Sequence, residues 1–439
     1  MRRATLVSML VLVVSLVGAG GAQARLDPGF GQEGAATVTP PLPSGWSNQR
    51  LEAAVTGQNG ETYVIVRQSS CANYPCLQGD FLFRYQANGA LEPAFAGSRG
   101  YEIPPETPNS YEVGQPLVTV DSSGLPVVGR TVSTSGENGT AIVVRRLLGN
   151  GELDTGFAAQ GAVRLPCPCG SGTTQLLTGP HDSTFVVATS ETRKKRSGQK
   201  SGATGSATLI KLDSTGHRAK GFGLRGSVTA TAPGEGKVEY DAITPDGATY
   251  FGGRGLTKST DAGFLLRVSK KGVIDTKFEG RALKALKRLK AIKGNEVRVT
   301  TAVVGETGPI ELFGSAGSIG GFELRLRPNG SLLSGWAEDG LALLPYPIAT
   351  AVQGRQGSIM ALTGEEGAAP HLLRILSNGK LDPAFGATGE VLPGATLPTG
   401  YSLYPAGLGR VGVTGLGQPE CRSSTCQVTG NLWRFLEGS

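Results

Sequence analysis

Basic side chains recur in this chain at a fixed distance from an aromatic ring. Arg84, Arg146, Lys211, Arg267, Arg325 and Arg374 each stand 11 positions before Phe95, Phe157, Phe222, Phe278, Trp336 or Phe385, and Arg434 offers a seventh copy near the C-terminus. Carboxylates recur three positions before the same kind of ring, at Asp27, Glu92, Asp154, Asp275 and Asp382. Two rings of opposite charge suggest two chemistries: a positive collar that grips an anion near a shared axis, or a ring of acidic ligands. The plainer reading is structural. Six of the seven bases have apolar neighbours on both sides, as in Phe83-Arg84-Tyr85, so they project to the opposite strand face from those neighbours. A buried charge needs a partner, and here the partner is periodic too. The acids keep one offset within a turn phrase, where Asp side chains accept backbone N–H bonds. We therefore assign both sets to the architecture of a repeat, although the units of Lys211 and Arg325 lack the acid.

Two basic segments stand outside the repeat. Arg193-Lys194-Lys195-Arg196 lies in a Ser/Gly setting and reads as an inserted loop. Residues 281–293 carry Lys284, Lys287, Arg288 and Lys290, with apolar residues at 282, 285, 286 and 289 that suit a helix face, while the repeat register asks for a strand near 282. The alternatives for this segment are docking on an anionic membrane or wall polymer and a solvated edge protected by lysines. These eight bases are the candidate anion contacts.

Catalytic constellations are sparse. Thr244-Pro245-Asp246-Gly247-Ala248-Thr249-Tyr250 approaches a sialidase turn but misplaces its glycine. The histidines, His181, His217 and His371, occupy no repeated position, so an axial cluster of a propeller lyase or lactonase has no support. Neither a phosphate loop in strand-to-helix context nor a serine in an elbow motif is present. No catalytic, metal or cofactor residue is assigned. The six cysteines of an exported chain are most simply disulfides. Spacing suggests that Cys71 and Cys76 close one short loop and Cys421 and Cys426 another, whereas Cys167-Pro168-Cys169 would make a strained ring or a metal pair.

The elements that must position these residues follow from the repeat itself. The phrase Leu26-Asp27-Pro28-Gly29-Phe30 returns seven times, its aromatics 65, 62, 65, 56, 58 and 49 residues apart. That period fits a four-stranded propeller blade. In the first unit Thr37–Thr39, Leu51–Thr56, Thr62–Arg67 and Asp80–Tyr85 read as four strands, with Asn59-Gly60 as a hairpin turn. Runs such as Tyr63-Val64-Ile65-Val66 predict strands covered on both faces. Arg434 stands where a phrase should follow, yet the chain ends, and the missing phrase is at Leu26. The expectation is an all-β, seven-bladed β-propeller whose terminal segments complete one blade and leave no open edge.

The N-terminus reads as an export signal over residues 1–24: Arg2 and Arg3, an apolar run, then Ala22-Gln23-Ala24. Residues 25–439 form a single domain, with 40 basic against 35 acidic residues after removal of the signal, a net +5. That charge favours weak attraction to anionic polymers and does not argue for specific nucleic-acid binding. No later run is long enough to span a membrane. The chain is expected to be a secreted or periplasmic monomer.

Asn/Ser-Gly-x-Leu-Asp-x-x-Phe-Gly at about sixty-residue spacing, fullest at Ser377-Asn378-Gly379-Lys380-Leu381-Asp382-Pro383-Ala384-Phe385-Gly386, resembles the delta-60 repeat family. The match covers nearly all of the chain after the signal, with departures in the units at Arg218 and Leu332. The resemblance implies a β-propeller-like repeat protein and brings no agreed activity. The reading is a secreted, non-catalytic binding or scaffold surface for a protein or an anionic envelope polymer. The alternative is a propeller hydrolase or lyase acting on a glycan or lactone.

Overall fold

Seven antiparallel sheets form a ring in the structure, a computed structural model. It describes residues 25–437 except 44–45, 47, 58, 71–76, 105–109, 113–114, 135–139, 167–173, 195–201, 234–235, 244–246, 256–262, 292–296, 306–307, 317–319, 365–369, 386–389, 392–401, 406–409 and 423–424. Residues 1–24, read above as an export signal, and Cys71, Cys76, Cys167 and Cys169 lie outside the described residues.

Blade 1 comprises Asn48–Thr56, Thr62–Ser70, Leu77–Tyr85 and Tyr101–Glu102. Blade 2 begins with Ser110–Glu112 and Leu117–Val120 and continues through Pro126–Thr134, Thr140–Arg146 and Ala162–Pro166. Blade 3 is Thr174–Thr178, Thr184–Lys194, Gly202–Leu212 and Ser227–Thr231. Among the described residues blade 4 has three strands, Gly236–Ile243, Thr249–Gly255 and Phe264–Val268. Blade 5 is Val297–Val304, Ile310–Ala316, Gly321–Leu326 and Leu341–Leu344, and blade 6 is Ile348–Gln353, Ile359–Thr363, His371–Ile375 and Glu390–Val391. The first strand of each blade packs toward its counterparts around the axis. Among the described residues no helix is long and apolar enough to cross a membrane.

The ring closes in blade 7. Ser402–Pro405, Arg410–Arg422 and Thr425–Leu436 come from the C-terminus, and the N-terminal Arg25–Leu26 and Ala35–Val38 pair with the last of them, Leu26 opposite Phe435 and Ala35 opposite Trp433. This moves one expected strand. The segment around Thr37 belongs to blade 7, and Asp80–Tyr85, expected as a fourth strand, is part of the third strand of blade 1. The physical reason is that the outermost strand of each blade follows its turn phrase, so the N-terminal phrase carries its own outer strand with it.

Strand alternation explains why the apolar runs are unbroken. Tyr63 and Ile65 pack with Phe95, Val120 and Val128 toward blade 2, while Val64 and Val66 pack with Phe30, Val38 and Leu432 toward blade 7. Both faces of a single strand are thereby buried, each large side chain contributing about 1.5–3 kcal/mol.

The phrase supplies the joint between blades. Its aromatic ring lies over the hairpin turn of the following blade, and the residue after the ring donates a backbone hydrogen bond to that turn: Gly31 to Asn88 O at 2.6 Å, Ala96 to Asn150 O at 2.8 Å, Ala158 to Thr215 O at 2.7 Å and Gly223 to Lys271 O at 2.9 Å. The turn needs glycine for two reasons. At Gly216 φ is +79°, and a Cβ there would stand 2.9 Å from the Phe157 ring. Gly89 meets Phe30 in the same way at the closure, with φ +83° and a 3.0 Å approach.

Blade 4 departs from the repeat. After Phe264–Val268 the chain forms helix α1 (Thr276–Leu286), then a 3-10 turn over Lys287–Ala291. Asp275 caps it by accepting from Phe278 N at 2.9 Å. Phe278, Ala282, Ala285 and Leu286 on one face, with Leu289, are buried against Tyr250, Leu265, Leu312 and Leu324. The 3.6-residue pattern thus prevails over the strand that the register asks for, and the helix covers the edge a fourth strand would have paired.

Two substitutions test the joint. Phe30→Ala should cost about 3–5 kcal/mol and Gly216→Ala about 1–3 kcal/mol, both read as a lowered midpoint in thermal or urea unfolding. An unchanged midpoint for Gly216→Ala would remove the ring-on-turn account.

Candidate functional site

Each repeated base sits on the third strand of its blade, two strands away from the axis, and so does not line it. The guanidinium groups reach sideways instead. Arg84 donates to Gly149 O at 3.2 Å, Arg146 to Ser214 O at 2.6 Å, Arg325 to Ser377 O at 2.9 Å and Arg374 to Glu437 O at 2.6 Å. Arg434 completes the circle by donating to Ala87 O, and to Gly60 O at 2.6 Å. In all five the carbonyl lies three residues past the base, or the position of the base, of the next blade. Rings hold the cation from below: Arg146 lies 4.9 Å from the Phe157 centroid, Arg325 4.2 Å from Trp336 and Arg434 4.3 Å from Phe30.

The repeated acids meet both a base and a backbone. Arg146 pairs with Asp154 at 2.7 Å, Arg267 with Asp275 at 3.4 Å and Arg374 with Asp382 at 3.3 Å. The other carboxylate oxygen accepts from the turn, as Asp154 Oδ1 does from Gly156 N at 3.0 Å and Asp382 Oδ1 from Ala384 N at 2.9 Å. At the closure the partner changes: Asp27 pairs with Arg410 at 2.9 Å and accepts from Gly29 N at 3.0 Å. Glu92 accepts from Gln86 Nε2 at 2.7 Å.

The two units without the acid solve the same electrostatic problem differently. Arg325 faces Glu311 at 3.0 Å and Glu323 at 2.5 Å, all three buried in blade 5. Burial pushes Glu311 up to about 8 and Glu323 up to about 7, against the pull of the single guanidinium. The spacing Glu323-Leu324-Arg325 puts this acid and base on one strand face, a signal present in the sequence. Glu311 reaches Arg325 only through the pairing of neighbouring strands. Lys211 lies 5.1 Å from the Phe185 centroid and 5.9 Å from Phe222, and burial lowers its pKa.

A further ion network at the opposite ends of the strands ties blade 1 to blade 2. Asp80 accepts from Arg67 Nε at 2.8 Å and Nη2 at 3.0 Å and pairs with Arg130, which donates to Ile103 O at 3.2 Å. Nothing in the repeat marks these residues, because they join neighbouring units through positions without a periodic signature.

The remaining basic candidates gather on α1 and the 3-10 turn that follows it. Lys284 on α1 and Lys287 and Arg288 in the turn after it are exposed. With Arg281, Ala285, Ser331 and Leu332 they line an open pocket of about 650 Å³ between α1 and blade 5. Arg281 donates to Asn329 O at 2.5 Å, so its position is fixed, and Arg288 lies 3.9 Å from Asp339. The side chain of Lys290 lies outside the described residues. Arg193 and Lys194 end the strand Thr184–Lys194, and Lys195 and Arg196 lie outside the described residues.

No family model and no curated protein matches the chain. Among solved structures it is similar to prolyl oligopeptidase B from Galerina marginata at 9% identity, over 87% of this chain and 51% of that one, with a TM-score of 0.45. It is also similar to an α-L-arabinofuranosidase from Fusarium graminearum at 10% identity, over 91% and 97% of the two chains, with a TM-score of 0.35. A luciferin-regenerating enzyme shares 10% identity over 74% and 91%, also at 0.35. The chain spans about half the length of the first of these, and the activities in those names belong to those proteins.

The buried acids give a pH prediction with a definite sign. Their folded pKa values lie above the ordinary carboxylate value, so the stability they contribute is present at acid pH and is lost as pH rises through about 7 to 8. The melting temperature should fall by about 2 °C or more between pH 5 and 8, and Glu311→Gln with Glu323→Gln should flatten that slope. A double variant that keeps the full slope would assign the titration elsewhere.

Proposed function

We propose that the protein is a secreted, non-catalytic β-propeller that resembles the delta-60 repeat proteins and binds an anionic cell-envelope polymer. The observation that supports this reading is the cluster of exposed bases on α1 and the 3-10 turn after it, with its pocket, in a chain whose periodic charges are engaged in holding blades together. Arg281 is anchored by Asn329, and Lys284, Lys287 and Arg288 line the same pocket together with the apolar Ala285 and Leu332. Clustered cations of this kind attract a polyanion over roughly the Debye length, about 8 Å at physiological salt.

The test is binding of the purified protein to a soluble polyanion such as heparin or polyglutamate, measured by calorimetry at low and high salt. Affinity should fall as salt rises, and Lys284→Glu, Lys287→Glu and Arg288→Glu together should weaken it by about tenfold or more. Salt-independent binding, or an unaffected triple variant, would defeat the reading.

Export carries its own check. Cys421 and Cys426 occupy directly opposed positions of the blade 7 hairpin, and an exported chain should hold its cysteines oxidised. Intact-mass measurement after alkylation without reductant should find no added label; labelling of Cys421 or Cys426 would contradict that pairing.

A further inference from the structure

Among the described residues four large apolar side chains are exposed, and the two most exposed, Leu224 at 80% and Val273 at 62%, stand on adjoining turns. Gly223 donates to Lys271 O at 2.9 Å, which ties the turn of blade 3 that carries Leu224 to the turn of blade 4 that carries Val273. The fold provides internal controls for both positions. Leu224 bridges Ser227 in a tight turn, and the equivalent bridge residues elsewhere are Gln32, Ala159 and Glu338. Val273 follows the turn glycine Gly272, where other blades place Ala90, Glu152, His217, Ser331 or Lys380, none of them a large aliphatic residue. Leucine and valine at solvent-facing turns are therefore not a demand of the repeat.

Their surroundings are cationic. Lys220, Arg225, Lys270, Lys271 and Lys277 are all exposed, and α1 begins three residues after Val273. Of the acids nearby, Asp275 pairs with Arg267 and caps α1, Asp213 accepts from Thr215 and His217 of its own turn, and Glu279 in the first turn of α1 leaves the five bases in excess. A soluble polyanion would use the cations and leave the two aliphatic side chains in water. An anionic bilayer would use both, taking Leu224 and Val273 below its headgroups while the bases meet lipid phosphates.

We infer that the turn face of blades 3 and 4, continuous with α1, docks on an anionic lipid surface. This deepens the reading of α1 as an anion-binding element and rests on it. Leu224 and Val273 supply the apolar contact, the flanking bases supply the attraction, and the pocket beside α1, lined by bases with Ala285 and Leu332, receives an acidic headgroup.

The test is co-sedimentation of the purified protein with vesicles of phosphatidylcholine alone or mixed with phosphatidylglycerol, alongside binding to polyglutamate. Binding should require phosphatidylglycerol, and Leu224→Ser with Val273→Ser should reduce it by about tenfold while polyglutamate binding is unchanged. Equal binding to neutral vesicles, or an unaffected double variant, would overturn the inference. Polyglutamate binding without vesicle binding would overturn the lipid partner and leave the polyanion reading standing. Polyglutamate binding that itself falls with the double variant would point to an acidic protein surface instead. Binding to neither would overturn both readings.

Discussion

The structure depends on one contact made again and again: an aromatic ring of one blade laid over the glycine turn of the next. Phe30 on Gly89 and Phe157 on Gly216 show why both partners are needed, since a Cβ at either glycine would enter the ring. A single blade cannot bury the ring or both faces of its inner strands. The units therefore become stable only in the circle, and the circle needs a last joint between the two ends of the chain. Arg25–Leu26 and Ala35–Val38 pairing with Thr425–Leu436 make that joint.

The charges follow from the same constraint. A base beside the ring must be desolvated for the joint to close, and in five blades it donates to a carbonyl of the next blade while in three it meets the acid of its own phrase. Where the acid is missing the environment changes with it. Blade 5 recruits Glu311 and Glu323 to Arg325 at the expense of two carboxyls held above their ordinary pKa, while blade 3 settles Lys211 between two phenylalanines. These solutions differ chemically but serve the same joint.

Freedom to vary lies where the joint makes no demand. Blade 4 replaces its outer strand with α1, whose inner face completes the core and whose outer face is free to carry charge. The same region holds the exposed aliphatic turns. The proposed anion-binding and lipid-docking roles thus concern residues that the ring does not use for its own cohesion, in line with function residing in sites placed on a fold.

Much of the architecture was legible in the sequence because the repeat is local and periodic. The spacing of Phe30, Phe95 and their counterparts, the unbroken apolar runs and the phrase missing after Arg434 determined the blade number and the closure. The apolar positions 282, 285, 286 and 289 suited a helix while the repeat register asked for a strand, and the sequence left the two open. What spacing left undecided was which blade a strand joins, what each base touches and how α1 replaces a strand, since these depend on contacts between units far apart in the chain. Arg434 meets Ala87 and Glu311 meets Arg325 only after the sheets have formed and stacked. A charge pattern along a sequence therefore names the groups that must be satisfied, and the tertiary structure alone decides which partner satisfies each, because desolvation is imposed by neighbouring blades and not by neighbours in sequence.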